Sequence, residues 1–271
     1  MKFTAFGLAR SGTTALAQLL NAHPEVFCAI EAILPDKKIT NLDFPGAFLS
    51  PEFVGDKRAA KHKELITDKH KCFGNKFPRY YAYLDVIGSK DIPNFGIYRE
   101  GFSFVHSWNQ RVKARENWQQ GRTGIIGVIE QIILLLSLVS LKNKENTYMF
   151  SYEKLLQLTP DHFELIFDIL GVEANLAQEK FEKKIFRQEK VINVVREFTE
   201  QEEFAKKFFQ IEDIDELMKK YSGQSIAAYD KSAIERIASL KPKLESFIQK
   251  IPPRIFFFFF FFFLPQLKKK K

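Results

Sequence analysis

The chain has 271 residues, 45% of them hydrophobic and 27% charged, which is the composition of a globular protein with one substantial core. Its formal net charge is +8, but residues 268–271 are all lysine, and elsewhere basic and acidic residues alternate as they do on solvated helix faces. The sequence has no zinc-ligand spacing, RNA-binding signature or basic-aromatic stripe, and this argues against a nucleic-acid partner.

The first predicted elements are a strand at residues 3–6 and a helix at residues 13–22, joined by a tight loop. In such a loop the backbone N–H groups and the helix N-terminus together hold an anion. The loop, residues 7–12, has the spacing of the P-loop motif G-x-x-x-x-G-K-[ST], except that the lysine position holds Thr13. The alternative is an ordinary turn capped by Ser11 or Thr13. The candidate anion-binding residues are Arg10, Ser11, Gly12, Thr13 and Thr14.

Thr13 changes the expected ligand of this loop. A nucleoside triphosphate needs the missing lysine and a magnesium ion, whereas a 5′-phosphosulfate carries less charge. Amides, hydroxyls and one arginine are enough to hold that group, and Arg10 can supply the cation.

Glu31 is a lone acid within the apolar segment at residues 26–34. Apolar surroundings favour a carboxyl group that accepts a proton, so Glu31 is the candidate general base. The alternative is a solvated glutamate on a surface loop. Residues 35–70 are rich in charged residues and show no regular helix or strand pattern, and we expect them to form a flap facing the substrate.

The rest of the chain alternates between predicted strands and helices. The apolar stretch at residues 125–141 contains Glu130 and Gln131 and is short for roughly 30 Å of hydrocarbon, so it is predicted to be a buried helix. This alternation predicts an α/β, P-loop-like, three-layer fold with a central parallel sheet flanked by helices, in a single domain over residues 1–254. The other predicted elements are strands at 95–98 and 147–151 and helices at 102–115, 160–170 and 231–250.

A second candidate anion site lies at the end of the strand at residues 95–98. Arg99 follows that strand, and Ser107 and Arg111 lie one turn apart on the next helix. Residues four apart share a helix face, so these donors can converge on one phosphate dianion. The alternative for Arg99 is a structural salt bridge.

Residues 255–271 form a low-complexity tail with eight successive phenylalanines and a lysine run. Such a segment has no amphipathic period with which to pack against a core. We therefore predict that it is not part of the fold. Attachment to an anionic lipid surface is the alternative that we do not favour.

Residues 7–26 and 97–111 resemble two motifs of the sulfotransferases that use 3′-phosphoadenosine-5′-phosphosulfate (PAPS). The first is similar to their 5′-phosphosulfate loop and first helix, and the second to the strand, turn and helix that contact the 3′-phosphate. The closest branches are the protein-tyrosine and bacterial carbohydrate sulfotransferases. The chain departs from common versions at Glu100 and Phe102, where relatives often have Asp and Arg.

The resemblance implies transfer of a sulfuryl group from PAPS to an acceptor hydroxyl, without a metal, leaving adenosine-3′,5′-bisphosphate. It also implies that Glu31 is the base, that Lys76 stabilises the leaving oxygen and that Tyr152 lies beside the adenine. The alternative for Tyr152 is a tyrosine at a helix start that packs on the core. The chain opens on a strand without a secretory leader, so we expect a cytoplasmic enzyme acting on a sugar or other small molecule. A P-loop kinase and a non-catalytic nucleotide-binding descendant are the alternatives.

The two cysteines, Cys28 and Cys72, are too few to indicate a disulfide framework, and buried free thiols are the simpler interpretation. Some tyrosine-sulfating relatives link cysteines in comparable places, so a bridge is the less favoured alternative.

Overall fold

The fold is known from a computed structural model, which describes residues 1–31, 65–78, 92–113, 124–141, 144–157, 160–174 and 198–250. Two predictions lie largely or wholly outside these ranges. They concern the flap at residues 35–70, described only from residue 65, and the tail at residues 255–271.

A five-stranded parallel sheet forms the centre of the molecule, in the order β2-β3-β1-β4-β5. Strand β1 lies in the middle and pairs with β3 on one side and β4 on the other. The carboxyl ends of all five strands therefore lie along one edge of the sheet. The strands are β1 (Lys2–Gly7), β2 (Val26–Ile30), β3 (Cys72–Lys76), β4 (Asn94–Tyr98) and β5 (Thr147–Ser151).

Helices pack on both faces of this sheet. Those before residue 175 are α1 (Thr13–Leu20), α2 (Gly101–Lys113), α3 (Gly124–Val139), α4 (Tyr152–Leu156) and α5 (Pro160–Leu170). Those after residue 198 are α6 (Glu200–Phe209), α7 (Ile211–Lys220), α8 (Lys231–Ala238) and α9 (Leu240–Lys250), with a 3₁₀ turn at Ile226–Ala228.

The alternation of side chains along β1 divides the core into two layers, one on each face of the sheet. Phe3 and Ala5 point to one face, where they join the buried side chains of α1 and α5. Phe6 points to the other face, where it joins those of α2, α3 and the helices after residue 198. This is the predicted α/β, three-layer arrangement around a parallel sheet, and the prediction is confirmed.

Helix α3 forms much of the second layer. It is buried almost throughout, and its two polar residues Glu130 and Gln131 are buried as well. Across the parts of the chain that the structure describes, no helix combines the length and the apolar character needed to cross a bilayer. The prediction of a buried helix here is confirmed.

The prediction of one continuous helix over residues 231–250 is wrong. The structure has two helices, α8 ending at Ala238 and α9 beginning at Leu240. Pro242 explains the break, because a proline has no N–H to donate to the carbonyl four residues earlier and its ring collides with that carbonyl. The carbonyl concerned is that of Ala238, the last residue of α8.

Candidate active site

The predicted site residues lie along the carboxyl edge of the sheet. Glu31 follows β2, Lys76 ends β3, the loop at residues 8–12 follows β1, Arg99 follows β4 and Tyr152 follows β5. In open parallel α/β sheets this edge is where ligands bind, since every strand ends there and delivers a loop to the same place.

The loop after β1 is shaped by two glycines. A Cβ atom on Gly7 would lie 2.8 Å from the carbonyl oxygen of Ile97, so only glycine allows β1 and β4 to approach this closely. Gly12 has a φ of +99° and lies under the ring of Tyr152, where a Cβ atom would be 2.2 Å from Cδ2. Both the backbone conformation and the available space therefore require glycine at position 12.

Ser11 stabilises the loop from inside. Its Oγ accepts a hydrogen bond from the Leu8 amide at 3.0 Å and donates one to the Leu8 carbonyl at 2.8 Å. The residue that caps α1 is Gly12, which makes no side-chain hydrogen bond to the first turn. The turn is therefore not capped by Ser11 or Thr13, and the N-terminus of α1 is without a side-chain cap. Thr13 is buried in this first turn and Thr14 is exposed.

Arg10 joins the two sequence motifs. Its Nε donates a hydrogen bond to Oγ of Ser107 on α2 at 3.1 Å. Nη1 of Arg99 donates to the carbonyl oxygen of Arg10 at 3.2 Å. Arg10 itself has a φ of 77°, a conformation that costs a non-glycine residue free energy and is concentrated at functional sites. The loop and the turn after β4 are thus joined in one cationic cluster.

Tyr152 lies within this cluster. Its ring covers Gly12, and Cζ of Arg99 lies 4.8 Å from the ring centroid, a cation–π distance. The structure thus brings Arg10, Gly12, Arg99, Ser107 and Tyr152 together. Arg111 lies in α2 four residues after Ser107, and its side chain is outside the described part of the structure.

The two predicted catalytic residues contact each other. Nζ of Lys76 donates to Oε1 of Glu31 at 2.9 Å, and the Glu31 amide donates to the Lys76 carbonyl at 2.8 Å. The Lys76 side chain is 2% exposed and that of Glu31 is 34% exposed. The expectation of an isolated acid among apolar residues is therefore wrong, because a buried ammonium needs a counter-charge and Glu31 supplies it. Glu31 also has a positive φ, 57°.

The cysteines are both free and buried. Burial raises the pKa of the Cys28 thiol to about 12, with Lys76 opposing that shift, and burial also raises the pKa of Cys72. In the sheet, Cys72 pairs with Val26 and not with Cys28, so the cysteines are offset by two residues on adjacent strands. That offset is about 6.6 Å along the strands and about 4.8 Å across them, beyond the reach of a disulfide. The less favoured bridge is therefore absent.

Three side chains that the sequence did not single out bond the backbone of the turn at residues 99–101. They are Gln131 of α3, Glu153 of α4 and Asp215 of α7. Glu153 could have been found from its place beside Tyr152. Gln131 stands out in the sequence only as a polar residue in an apolar helix, and Asp215 carries no local signal, because only the fold brings α3 and α7 to this turn.

A comparison with solved structures finds sulfotransferases. Mouse sulfotransferase SULT7A1 complexed with PAP aligns at 15% identity and a TM-score of 0.50, over 82% of this chain and 89% of its own. The Alicyclobacillus acidocaldarius sulfotransferase aligns at 12% identity and a TM-score of 0.48, over 86% and 98%. The sulfotransferase domain of the Synechococcus PCC 7002 olefin synthase aligns at 13% identity and a TM-score of 0.44, over 78% and 94%.

At 15% identity the likeness to the mouse enzyme concerns the fold alone. The chain has the fold of the sulfotransferases, as its two motifs indicated. No protein-family model matches the chain, and no curated protein matches it in sequence.

Proposed function

We propose that this chain is a sulfotransferase that transfers a sulfuryl group from PAPS to a hydroxyl group of a sugar or other small molecule. The observation that carries the proposal is the hydrogen bond between Arg10 and Ser107, with Arg99 bonded to the Arg10 carbonyl. A nucleotide phosphorylated at both the 3′ and the 5′ position presents two anions about one ribose apart. A cation cluster that joins the two motifs suits such a ligand.

The residues of the cluster suit that nucleotide in a specific way. The N-terminus of α1 offers backbone N–H groups and a positive dipole end to the 5′-phosphosulfate, and Arg10 adds a charge beside it. Arg99 and Ser107 would hold the 3′-phosphate, together with Arg111. The bound PAP of the mouse neighbour supports this choice of cofactor. When bound, PAPS supplies a sulfuryl group activated by its link to a phosphate.

Glu31 and Lys76 are suited to the two remaining tasks. Glu31 is partly exposed, so an acceptor hydroxyl arriving from solvent can lose its proton to Oε1. The Lys76 ammonium has three N–H groups, so it can bond Glu31 and also stabilise the negative charge that develops on the bridging oxygen. Their 2.9 Å contact sets base and cation side by side before any ligand arrives.

The proposal is tested by calorimetry with adenosine-3′,5′-bisphosphate and with ATP, each with and without magnesium, and by transfer of labelled sulfuryl from PAPS to a panel of sugars and small hydroxyl compounds. We expect binding of the bisphosphate without magnesium, and label transfer to at least one acceptor. Magnesium-dependent binding of ATP without binding of the bisphosphate would contradict the proposal and favour a kinase. Binding of the bisphosphate without transfer would favour a non-catalytic descendant.

A further inference from the structure

We infer that Gln131, Glu153 and Asp215 act together as positioning residues that fix the turn at residues 99–101, the Arg99 turn, for recognition of a 3′-phosphate. This inference rests on the proposed function and adds residues that neither sequence motif assigns to the nucleotide site.

The three side chains hold one backbone group from each of the three successive residues of the Arg99 turn. Gln131 Nε2 donates to the Arg99 carbonyl at 2.8 Å. Oε1 of Glu153 accepts from the Glu100 amide at 3.1 Å. The two carboxylate oxygens of Asp215 accept from the Gly101 amide at 3.0 and 3.2 Å. The turn is thus fixed from three helices that come from distant parts of the chain.

The carboxylates are themselves held in place. Tyr98 donates to Oδ1 of Asp215 at 2.7 Å, and Oγ of Ser151 donates to Oε2 of Glu153 at 3.1 Å. Helix α7 lies directly against the turn, since a Cβ atom on Gly101 would be 2.4 Å from Cγ2 of Ile211. These contacts leave the turn little room to change conformation.

These hydrogen bonds determine which donors of the turn can bind an anion. The first amides of a helix are ordinarily an anion site. At the start of α2, Glu153 and Asp215 already occupy the amides of Glu100 and Gly101. These two amides are therefore not available to a phosphate at this turn, whereas the guanidinium of Arg99 is directed toward Arg10 and Tyr152.

Withdrawing two carboxyl groups from solvent costs free energy, which indicates that they do more than stabilise the fold. Burial raises the pKa values of both Glu153 and Asp215, and Glu100 nearby raises them further. Neighbouring carboxyl groups that are withdrawn from solvent are a poor way to stabilise a fold, since apolar residues of similar volume often do so at least as well. What two carboxylates provide here is directional bonding to two adjacent amides.

The test compares the affinities for adenosine-3′,5′-bisphosphate and adenosine-5′-monophosphate, measured by calorimetry. Only the first carries a 3′-phosphate, so the ratio of the two dissociation constants reports on the Arg99 turn. We expect the unaltered chain to prefer the bisphosphate. Asp215→Ala and Glu153→Ala should each lower that preference about tenfold, since bonds to charged groups contribute more than neutral ones. Affinity for the monophosphate should stay unchanged.

Asp215→Asn and Glu153→Gln keep one acceptor and should restore part of the preference, leaving it a few-fold below that of the unaltered chain. These near-isosteric variants also carry the test if the alanine variants fail to fold. The matched controls are Asp213→Asn on the same helix, where Asp213 pairs with Arg236, and Glu164→Gln on α5. Both controls should keep the full preference.

The outcomes separate the inference from the proposed function. An unaltered chain that binds both nucleotides equally would overturn the proposed function and the inference with it. A preference that survives in the Asp215 and Glu153 variants would overturn the inference alone. Equal loss of affinity for both nucleotides would also overturn it, because that result indicates general damage to the fold.

Discussion

Lys76 places a positive charge inside the molecule at the end of β3, and Glu31 is the group that balances it. The two side chains differ in exposure, 2% against 34%, so they do not depend on each other equally. Glu31 without Lys76 can be hydrated, whereas Lys76 without Glu31 would leave a buried charge without compensation. The pair that we propose for catalysis is thus also a structural element.

We predict that Glu31→Gln destabilises the fold more than Lys76→Met does. The first substitution leaves a buried ammonium unpaired, which costs about 3 kcal/mol, while the second removes that charge. Urea unfolding of both variants and of the double variant measures the difference, and the double variant should be close to Lys76→Met. Equal losses in the two single variants would contradict this account.

Turnover is expected to respond differently from stability. Each of Glu31→Gln and Lys76→Ala should lower kcat for sulfuryl transfer by about 100-fold or more. The first removes the proposed base, and the second removes the ammonium proposed to stabilise the negative charge on the leaving oxygen. Affinity for adenosine-3′,5′-bisphosphate should remain within a few-fold. Glu25→Gln is the matched control, since Glu25 forms an ion pair with Lys71 away from the loop after β1. Near-normal turnover in Glu31→Gln would remove the assignment of the base.

Asp215 predicts a particular dependence of stability on pH. Burial raises the pKa of this carboxyl from 3.8 to about 7, while the bonds from Tyr98 and Gly101 oppose the shift. The folded protein therefore holds this proton more tightly than the unfolded chain does, so Asp215 contributes stability at low pH that is lost as the pH rises toward 7. The stability of Asp215→Asn relative to the unaltered chain should therefore increase as the pH rises from 5 to 8. Urea unfolding at both pH values measures this change, and a constant difference would contradict it.

At the level of elements, the loop between β1 and α1 and the Arg99 turn form a single unit. The loop is shaped by its glycines and by Ser11, and the turn by side chains of α3, α4 and α7. The bond from Arg10 to Ser107 then fastens the loop to α2. A substitution that alters the conformation of either element is therefore expected to alter that of the other.

Gly12→Ala tests the shape of the loop. The new Cβ would collide with Tyr152 and would sit at a φ of +99°, so we expect a loss of stability of a few kcal/mol and loss of nucleotide binding. Gly171→Ala is the matched control, because Gly171 has a φ of +67° but no atom lies within 4 Å of its Cβ position. The control should lose about 1 kcal/mol and keep nucleotide binding. Thermal unfolding and calorimetry measure both effects.

Strands β1, β4 and β5 could be predicted from sequence because each is a short apolar run next to a turn. Strand β3 could not, since Cys72–Lys76 contains Gly, Asn and Lys, which are depleted in strands. Tertiary contacts override that propensity: β3 lies between β1 and β2, and its lysine is compensated by Glu31. Strand β2 is a continuous apolar run, which periodicity alone does not identify as a strand.

In the candidate site, too, local motifs identify the residues, and tertiary contacts decide which of them meet. Arg10, Arg99 and Ser107 were identified from local motifs, whose residue types fit phosphate binding. Their meeting in one cluster depends on the pairing of β1 with β4, which no local pattern specifies. Asp215 lies 114 positions from the Gly101 amide that it bonds, and only the completed fold brings the two together.

At the scale of the whole molecule, the helices after residue 198 complete the second core layer. Helices α8 and α9 both pack against α3, and the last buried side chain of this layer is Phe247 of α9. Among the described residues, the core therefore extends almost to the end of α9. The tail at residues 255–271 starts beyond that point in the chain.

A chain shortened to residues 1–254 is expected to keep its melting temperature within a few degrees and its affinity for adenosine-3′,5′-bisphosphate. The control is a chain that ends at residue 238. It lacks α9, whose Leu240, Leu244 and Phe247 are buried, so we expect it to be unfolded at room temperature. Circular dichroism and calorimetry compare the two. A large loss of stability in the longer chain would show that residues 255–271 belong to the fold.

The contact between Arg10 and Ser107 has a consequence for folding. It spans 97 positions and forms only after β1, β4 and α2 have assembled, so a partly folded chain lacks the complete site that we propose for the nucleotide. Adenosine-3′,5′-bisphosphate would then be a ligand of the native state alone and would shift the unfolding equilibrium by mass action, by about 2.7 kcal/mol at a hundredfold excess over its dissociation constant. The supply of this nucleotide would thereby help to set how long the protein resists proteolysis.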